Sequence, residues 1–122
     1  MSVEFQPAIP VFCIFDEAKA REFYLGWLGM TMDWEHRFKE GTPIYCQVSR
    51  GPVKFHLSGH SGEASPAATA LVYMHGVEEW HNELMNKPHT HGRPGLQHEE
   101  WGIECTVVDP FGNEIRFLQA KR

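Results

Sequence analysis

The feature that most constrains this chain is that one order of local patterns, strand, helix and then three strands, occurs twice around a short small-residue linker. From Ala8 to Phe15 the residues are almost wholly apolar and include Val11, Phe12 and Ile14, which predicts a strand buried on both faces. Asp16 then stands at an N-cap position with Glu17 in the first turn. Ala20, Phe23, Tyr24, Trp27 and Leu28 recur at helical spacing, and Gly29 stands where a helix would end. Strand-like runs follow over Thr31 to Phe38, Ile44 to Ser49 and Val53 to Ser58, separated by the turn sequences Lys39-Glu40-Gly41 and Arg50-Gly51-Pro52.

Gly59 to Pro66, rich in Gly, Ser and Ala, reads as the linker, after which the order restarts. Ala68 to Met74 is a strand, and Val77, Trp80, Leu84 and Met85 space out a helix that stops before Lys87-Pro88. A short strand is expected around His91 to Pro94. Clearer ones run over Ile103 to Val108 and Glu114 to Leu118, joined by the tight turn Asp109-Pro110-Phe111-Gly112. The prediction is an α+β fold of two tandem βαβββ modules, half-repeats at about 8–60 and 67–119 within a single domain over residues 1–122. The alternative is an unrelated α+β sandwich whose elements happen to fall in the same order.

At 122 residues there is room for one core, and the apolar fraction of 42% with 22% charged residues is that of a globular chain. The net charge of −5 comes without any Lys/Arg cluster, so the footprint of a nucleic-acid binder is missing, and a partner selected by charge is cationic. No apolar run reaches bilayer length, and the opening residues Met1-Ser2-Val3-Glu4 carry neither a basic nor a hydrophobic segment. The expectation is a cytoplasmic protein without membrane association. Cys13, Cys46 and Cys105 lie far apart in apolar stretches and read as buried free thiols.

Several motifs give this order a family likeness. Pro10-Val11 before Asp16, then Phe23-Tyr24 and Leu28-Gly29-Met30, resemble the opening of glyoxalase and bleomycin-resistance proteins of the vicinal-oxygen-chelate type. Trp101-Gly102, Asp109-Pro110-Phe111-Gly112-Asn113 and Phe117 resemble their closing signature. The resemblance implies paired modules whose strands curl into a mixed sheet around a cleft, and self-association as a homodimer. In metal-using relatives four side chains from four strands hold the ion. The matching positions here are Ile9, His56, Thr69 and Arg116. Isoleucine cannot ligate and a guanidinium stays protonated, so neither metal nor other cofactor is expected.

The other histidines do not rebuild a site on sequence grounds. His89 and His91 could share a strand face, and His56 and His60 lie near a strand end, but no cysteine or carboxylate stands at ligand spacing. Nucleophile motifs and phosphate-cradling glycine loops are absent.

The large aromatics in strand or loop positions remain: Trp34, Phe38, Tyr45, Phe55 and Trp101. For any one of them a place in the core is the ordinary reading. Even spacing puts Trp34 and Phe38 on one face of their predicted strand. In bleomycin-resistance proteins an aromatic pair near the first position and a Trp-Gly at the second line the drug groove, the planar part of the drug stacking between them across the dimer. The resemblance therefore implies an antibiotic-sequestering function for bleomycin-type or other DNA-damaging drugs with a planar portion, without catalysis. The expected binding residues are Trp34, Phe38, Tyr45, Phe55, His56, Trp101, Gly102 and Arg116. Asp33, Glu35, Glu99 and Glu100 stand close enough in sequence to meet a basic drug tail. The alternative is a metal-free enzyme of lyase or isomerase type, with His56 as general base and Arg116 steadying an anion. Metal-dependent glyoxalase chemistry ranks third.

Overall fold

A computed structural model describes residues 2–88 and 92–121. The first half runs β1 (Val11–Cys13), α1 (Glu17–Arg21), a π-helical stretch (Glu22–Trp27), β2 (Thr31–His36), β3 (Tyr45–Arg50) and β4 (Val53–Ser58). The second runs β5 (Thr69–Tyr73), α2 (Val77–Met85), β6 (Leu96–Glu99), β7 (Gly102–Val108) and β8 (Glu114–Ala120). Each half makes its own four-stranded sheet, in the orders β1-β4-β3-β2 and β5-β8-β7-β6. In both, the first strand pairs parallel with the last and the other pairs are antiparallel. The register sets Val11 opposite His56 and Leu71 opposite Arg116, so His56 and Arg116 hold equivalent positions in the two halves. No helix among the described residues is long and apolar enough to cross a membrane.

Local chemistry sets where the elements begin and end. Asp16 caps α1 by accepting from the Lys19 backbone N–H at 3.0 Å. The predicted helix then widens into π geometry, with the Leu28 N–H reaching back to the Phe23 carbonyl at 2.9 Å, and Phe23, Tyr24 and Trp27 are all buried. β1 is shorter than its apolar run because Pro10 has no N–H for the ladder, although its carbonyl still accepts from His56 N–H at 2.9 Å. The short strand expected around His91 to Pro94 forms instead at Leu96–Glu99, past the turn-forming Gly92, Pro94 and Gly95. His91, and with it the expected His89 and His91 pairing on one face, lies outside the described residues.

One apolar cluster spans both halves, joining Phe12, Tyr24, Trp27 and Phe55 to Val77, Leu84, Cys105 and Ile115. Polar contacts pin the junction. The Trp27 indole N–H donates to the Leu84 carbonyl at 3.1 Å, and Arg50 reaches both the Leu28 carbonyl at 2.9 Å and Glu83 at 2.7 Å while lying over the Trp80 ring. All three cysteines are free and buried, and burial pushes the Cys46 and Cys105 thiols up to about 11, which keeps them protonated and poor nucleophiles.

Candidate functional site

One extra residue in β2 decides where its tryptophan points. Thr31 pairs with Ser49 and Met32 with Val48, and that register continued would set Trp34 opposite Cys46, on the core side. A bulge at Asp33 shifts the pairing, so Trp34 faces Gln47 and His36 faces Tyr45. The indole thereby stands on the outer face of the first sheet, stacked on Tyr45 with ring centroids 6.1 Å apart and planes at 13°. Phe38 lies beyond the end of β2, and the turn that follows brings it to the same side, edge-on to His36 and to His60. Val11, Trp34, His36, Phe38, Tyr45 and Glu63 line an open groove of about 470 Å³.

Beneath the groove four side chains form a chain of hydrogen bonds whose polarity can be read from its end. Asp33 carboxylate can only accept, so the Gln47 amide presents its NH₂ there, at 3.0 Å. The amide oxygen of Gln47 therefore faces His56 Nε2 at 3.0 Å, which must carry the proton. That leaves His56 Nδ1 bare to accept from the Tyr45 hydroxyl at 2.8 Å. Both ring nitrogens are engaged, and this pattern is that of the neutral imidazole. Burial lowers the His56 pKa, because the charged form loses hydration, and NMR titration of its ring protons is expected to give a midpoint below the ordinary imidazole value of about 6.5. A midpoint above that value would contradict the dominance of desolvation at His56.

The second sheet carries a separate polar set. Glu104 is buried and holds Trp101 and Arg116 together: its Oε2 accepts from the indole N–H at 3.0 Å, and its Oε1 from Arg116 Nη2 at 3.0 Å and Nε at 3.2 Å. Trp101 is 54% exposed, so the carboxylate fixes an outward-facing ring. Gly102, at φ 153°, lies where an added Cβ would come within 2.2 Å of the Gln119 carbonyl oxygen, which explains glycine after that tryptophan. Among the described residues no hydrogen bond, ion pair or ring contact joins Trp34, Phe38, Tyr45 or His56 to Trp101 or Arg116.

Sequence expectations divide accordingly. Trp34, Phe38, Tyr45 and His56 come together, and Trp101, Gly102 and Arg116 form a second group. Phe55 is brought to neither: it points from β4 into the core against Phe12 and Tyr24, because alternation puts it on the face opposite His56. It borders instead an apolar cavity of about 320 Å³ between the two halves, with Val72, Met74, Trp80 and Phe117. Of the four flanking carboxylates, Glu35 is taken by Arg21 at 2.6 Å and Asp33 by Gln47. Gln47, Glu63 and Glu104 were not legible as site residues. Gln47 and Glu104 could have been found from their opposition to His56 and their closeness to Trp101 once register was known.

The proposed metal positions do not fit an ion. Only His56 of the four has a ligating atom, apart from the weakly ligating hydroxyl of Thr69, and both its nitrogens are committed. Among the described residues no three His, Cys, Asp or Glu side chains gather in a ligand cluster.

A family model described as glyoxalase superfamily protein matches residues 1–122. The bleomycin-binding protein from bleomycin-producing Streptomyces verticillus, solved with copper(II)-bleomycin, is 25% identical with a TM-score of 0.74, covering 98% of this chain and 100% of that one. TnmS3, an antibiotic binding protein from Streptomyces sp. CB03234, is 17% identical with a TM-score of 0.69 over 98% of this chain and 100% of that one. A glyoxalase family protein from Bacillus anthracis is 22% identical with a TM-score of 0.63, again over 98% and 100%. No curated protein matches the chain.

Proposed function

The chain belongs to the glyoxalase superfamily, and from that premise we propose that it is a binding protein that sequesters a bleomycin-type or other DNA-damaging antibiotic with a planar aromatic portion, leaving it chemically unchanged. The observation that carries this reading is an open groove walled by Trp34, Phe38 and Tyr45 over a polar floor whose hydrogen bonds are already made. Flat exposed rings suit offset stacking with a planar ligand. His56 has both ring nitrogens engaged, which speaks against it as the general base of a metal-free lyase or isomerase, and Arg116, on the other sheet, is already turned to Glu104. The likeness to a protein solved with copper(II)-bleomycin, near-complete in both chains, supports the ligand class. Such a protein would act in the cytoplasm, between drug entry and DNA.

The reading includes a homodimer. Trp34 and Trp101 stand on different sheets of one chain, and a two-fold partner would offer its second sheet to the first sheet of its mate. β5 supports this: it is an edge strand with Leu71 48% and Tyr73 69% exposed, an apolar edge that a monomer would leave open to pairing. Adding bleomycin to the purified protein is expected to quench its tryptophan fluorescence saturably at micromolar drug. Absence of quenching, or equal quenching in a Trp101→Ala variant, would rule out the bleomycin form of the proposal.

A further inference from the structure

The apolar cavity of about 320 Å³ between the halves lies on the inner side of both sheets, whereas the aromatic groove lies on the outer side of the first. Alternation makes the difference: Phe55 turns to the cavity and His56 away from it, and Val72 and Phe117 turn to it while Leu71 and Arg116 face outward. Trp80 of α2 closes one wall, edge-on to Phe117 at 5.2 Å. Arg50 is the only charged residue in the lining, and Tyr73 and Trp80 carry the only other side-chain O–H or N–H groups. Tyr73 alternates to the outer face of β5 and is 69% exposed, so Arg50 and Trp80 set the polar character of the cavity.

Both residues have donor hydrogens to spare. Arg50 lies over the Trp80 ring at 4.8 Å, reaches the Leu28 carbonyl at 2.9 Å and makes paired bonds to Glu83 at 2.7 and 3.1 Å. Its Nε–H and one Nη2 hydrogen have no partner among the described residues. Trp80 is only 8% exposed, and its buried indole N–H has no acceptor among the described residues either. Buried donors are satisfied in nearly all proteins, so this one wants an acceptor. The local charge agrees. Lys87 stands 3.7 Å from the same Glu83 carboxylate, so beside the cavity two cations share one anion, in a chain whose net charge is −5. No carboxylate lines the cavity itself.

We infer that this cavity is a second ligand site, one that takes an amphipathic monocarboxylate. The hydrocarbon body fills the apolar space between the halves, and the carboxylate accepts from the Arg50 N–H groups that Glu83 leaves open. An apolar cavity of about 150 Å³ holds benzene, and one of about 320 Å³ suits a body of about eight to ten carbons. A neutral alcohol of that length forgoes the charge, and an alkylammonium meets Arg50 as a like charge. The inference goes beyond the antibiotic reading and does not rest on it, since none of Trp34, Tyr45 and Trp101 lines this cavity.

Nonanoate, kept below its micelle concentration, is the probe, and protein labelled with ¹³C-methyl methionine reports where it binds. Met30 and Met74 line the cavity and Met32 and Met85 do not, so saturable shifts are expected at the first two methyl signals. Nonanoate is expected to bind about two- to fivefold more tightly than 1-nonanol, the contribution of an exposed ion pair, and nonyltrimethylammonium more weakly than either. Glu83→Gln removes the anion that competes for the guanidinium and is expected to widen the nonanoate-to-nonanol ratio by about two- to fivefold more, whereas Arg50→Gln brings it to one or below. A merely structural Arg50–Glu83 pair would instead weaken both ligands alike. Val72→Trp fills the cavity from β5 and is expected to abolish the shifts, with thermal melting showing that the fold is kept. No saturable shift at Met30 and Met74, equal affinities in wild type, or a ratio unmoved by Glu83→Gln would each overturn the site.

Discussion

Asn113→Ala is expected to destabilise the protein by about 3–5 kcal/mol, because several buried polar groups lose their partners at once. Asn113 is fully buried at the end of the Asp109-to-Gly112 turn. Its Nδ2 donates to the Cys13 carbonyl at 3.0 Å and to Asp109 Oδ2 at 2.8 Å, and its Oδ1 accepts from the Ala68 N–H at 3.1 Å. Those partners belong to the end of β1, the approach to β5 and the turn itself, so one amide ties the first half to the second. Asp109, also buried, is held by the Phe111 and Asn113 backbone N–H groups at 2.9 and 2.8 Å and by the Tyr24 hydroxyl at 2.7 Å. With alanine the buried Cys13 carbonyl and the half-buried Ala68 N–H lose their side-chain partner, and a small void adds to the cost. Urea unfolding should show the midpoint moving down with little change in slope, and the melting temperature should fall by on the order of 15 °C. Tyr24→Phe, which removes one donor from Asp109, should cost about 1–2 kcal/mol. A loss below about 1 kcal/mol for Asn113→Ala would mean that the two halves are held by the apolar core alone.

This network explains why the doubled order of elements was legible from sequence while the site was only half so. Strand and helix periodicity, the Asp16 cap and the turn residues around Pro110 act locally, and the elements fall close to where those signals put them. The deviations also have local causes, namely Pro10 at the start of β1 and the Gly92 to Gly95 stretch before β6. The site depends on register, which is a pairing between distant strands. Period-two counting expected Trp34 and Phe38 to share a strand face. They do reach the same groove, but through a bulge at Asp33 and a turn after His36 that no alternation predicts. Phe55 went to the core for the complementary reason: with His56 facing outward, its neighbour on β4 has to face in. Glu63 carried no signal at all, since a carboxylate in a Gly/Ser/Ala linker reads as solvated until the linker is seen to pass the groove.

The proposed dimer makes a prediction that a monomeric site cannot imitate. Trp34→Ala and Trp101→Ala are each expected to weaken antibiotic binding about 30-fold or more, the loss typical of a central aromatic anchor. In the proposed dimer each groove would take Trp34 from one chain and Trp101 from its partner. A mixed dimer of the two variants therefore has one groove with both tryptophans and one with neither. Co-refolding the variants in equal amounts should make about half the dimers mixed and restore about a quarter of the wild-type number of tight sites, though neither variant alone has any. Isothermal titration counts those sites directly, and affinity tags of two kinds establish that mixed dimers have formed. Mixed dimers without recovery would show that the two tryptophans do not share a groove across the interface. The physical basis for expecting recovery is that Glu104 holds Trp101 outward on its own sheet and the Asp33 bulge turns Trp34 outward on the other. Each ring is thus fixed by its own half of the chain, and a substitution in one half leaves the other platform formed and ready for a partner.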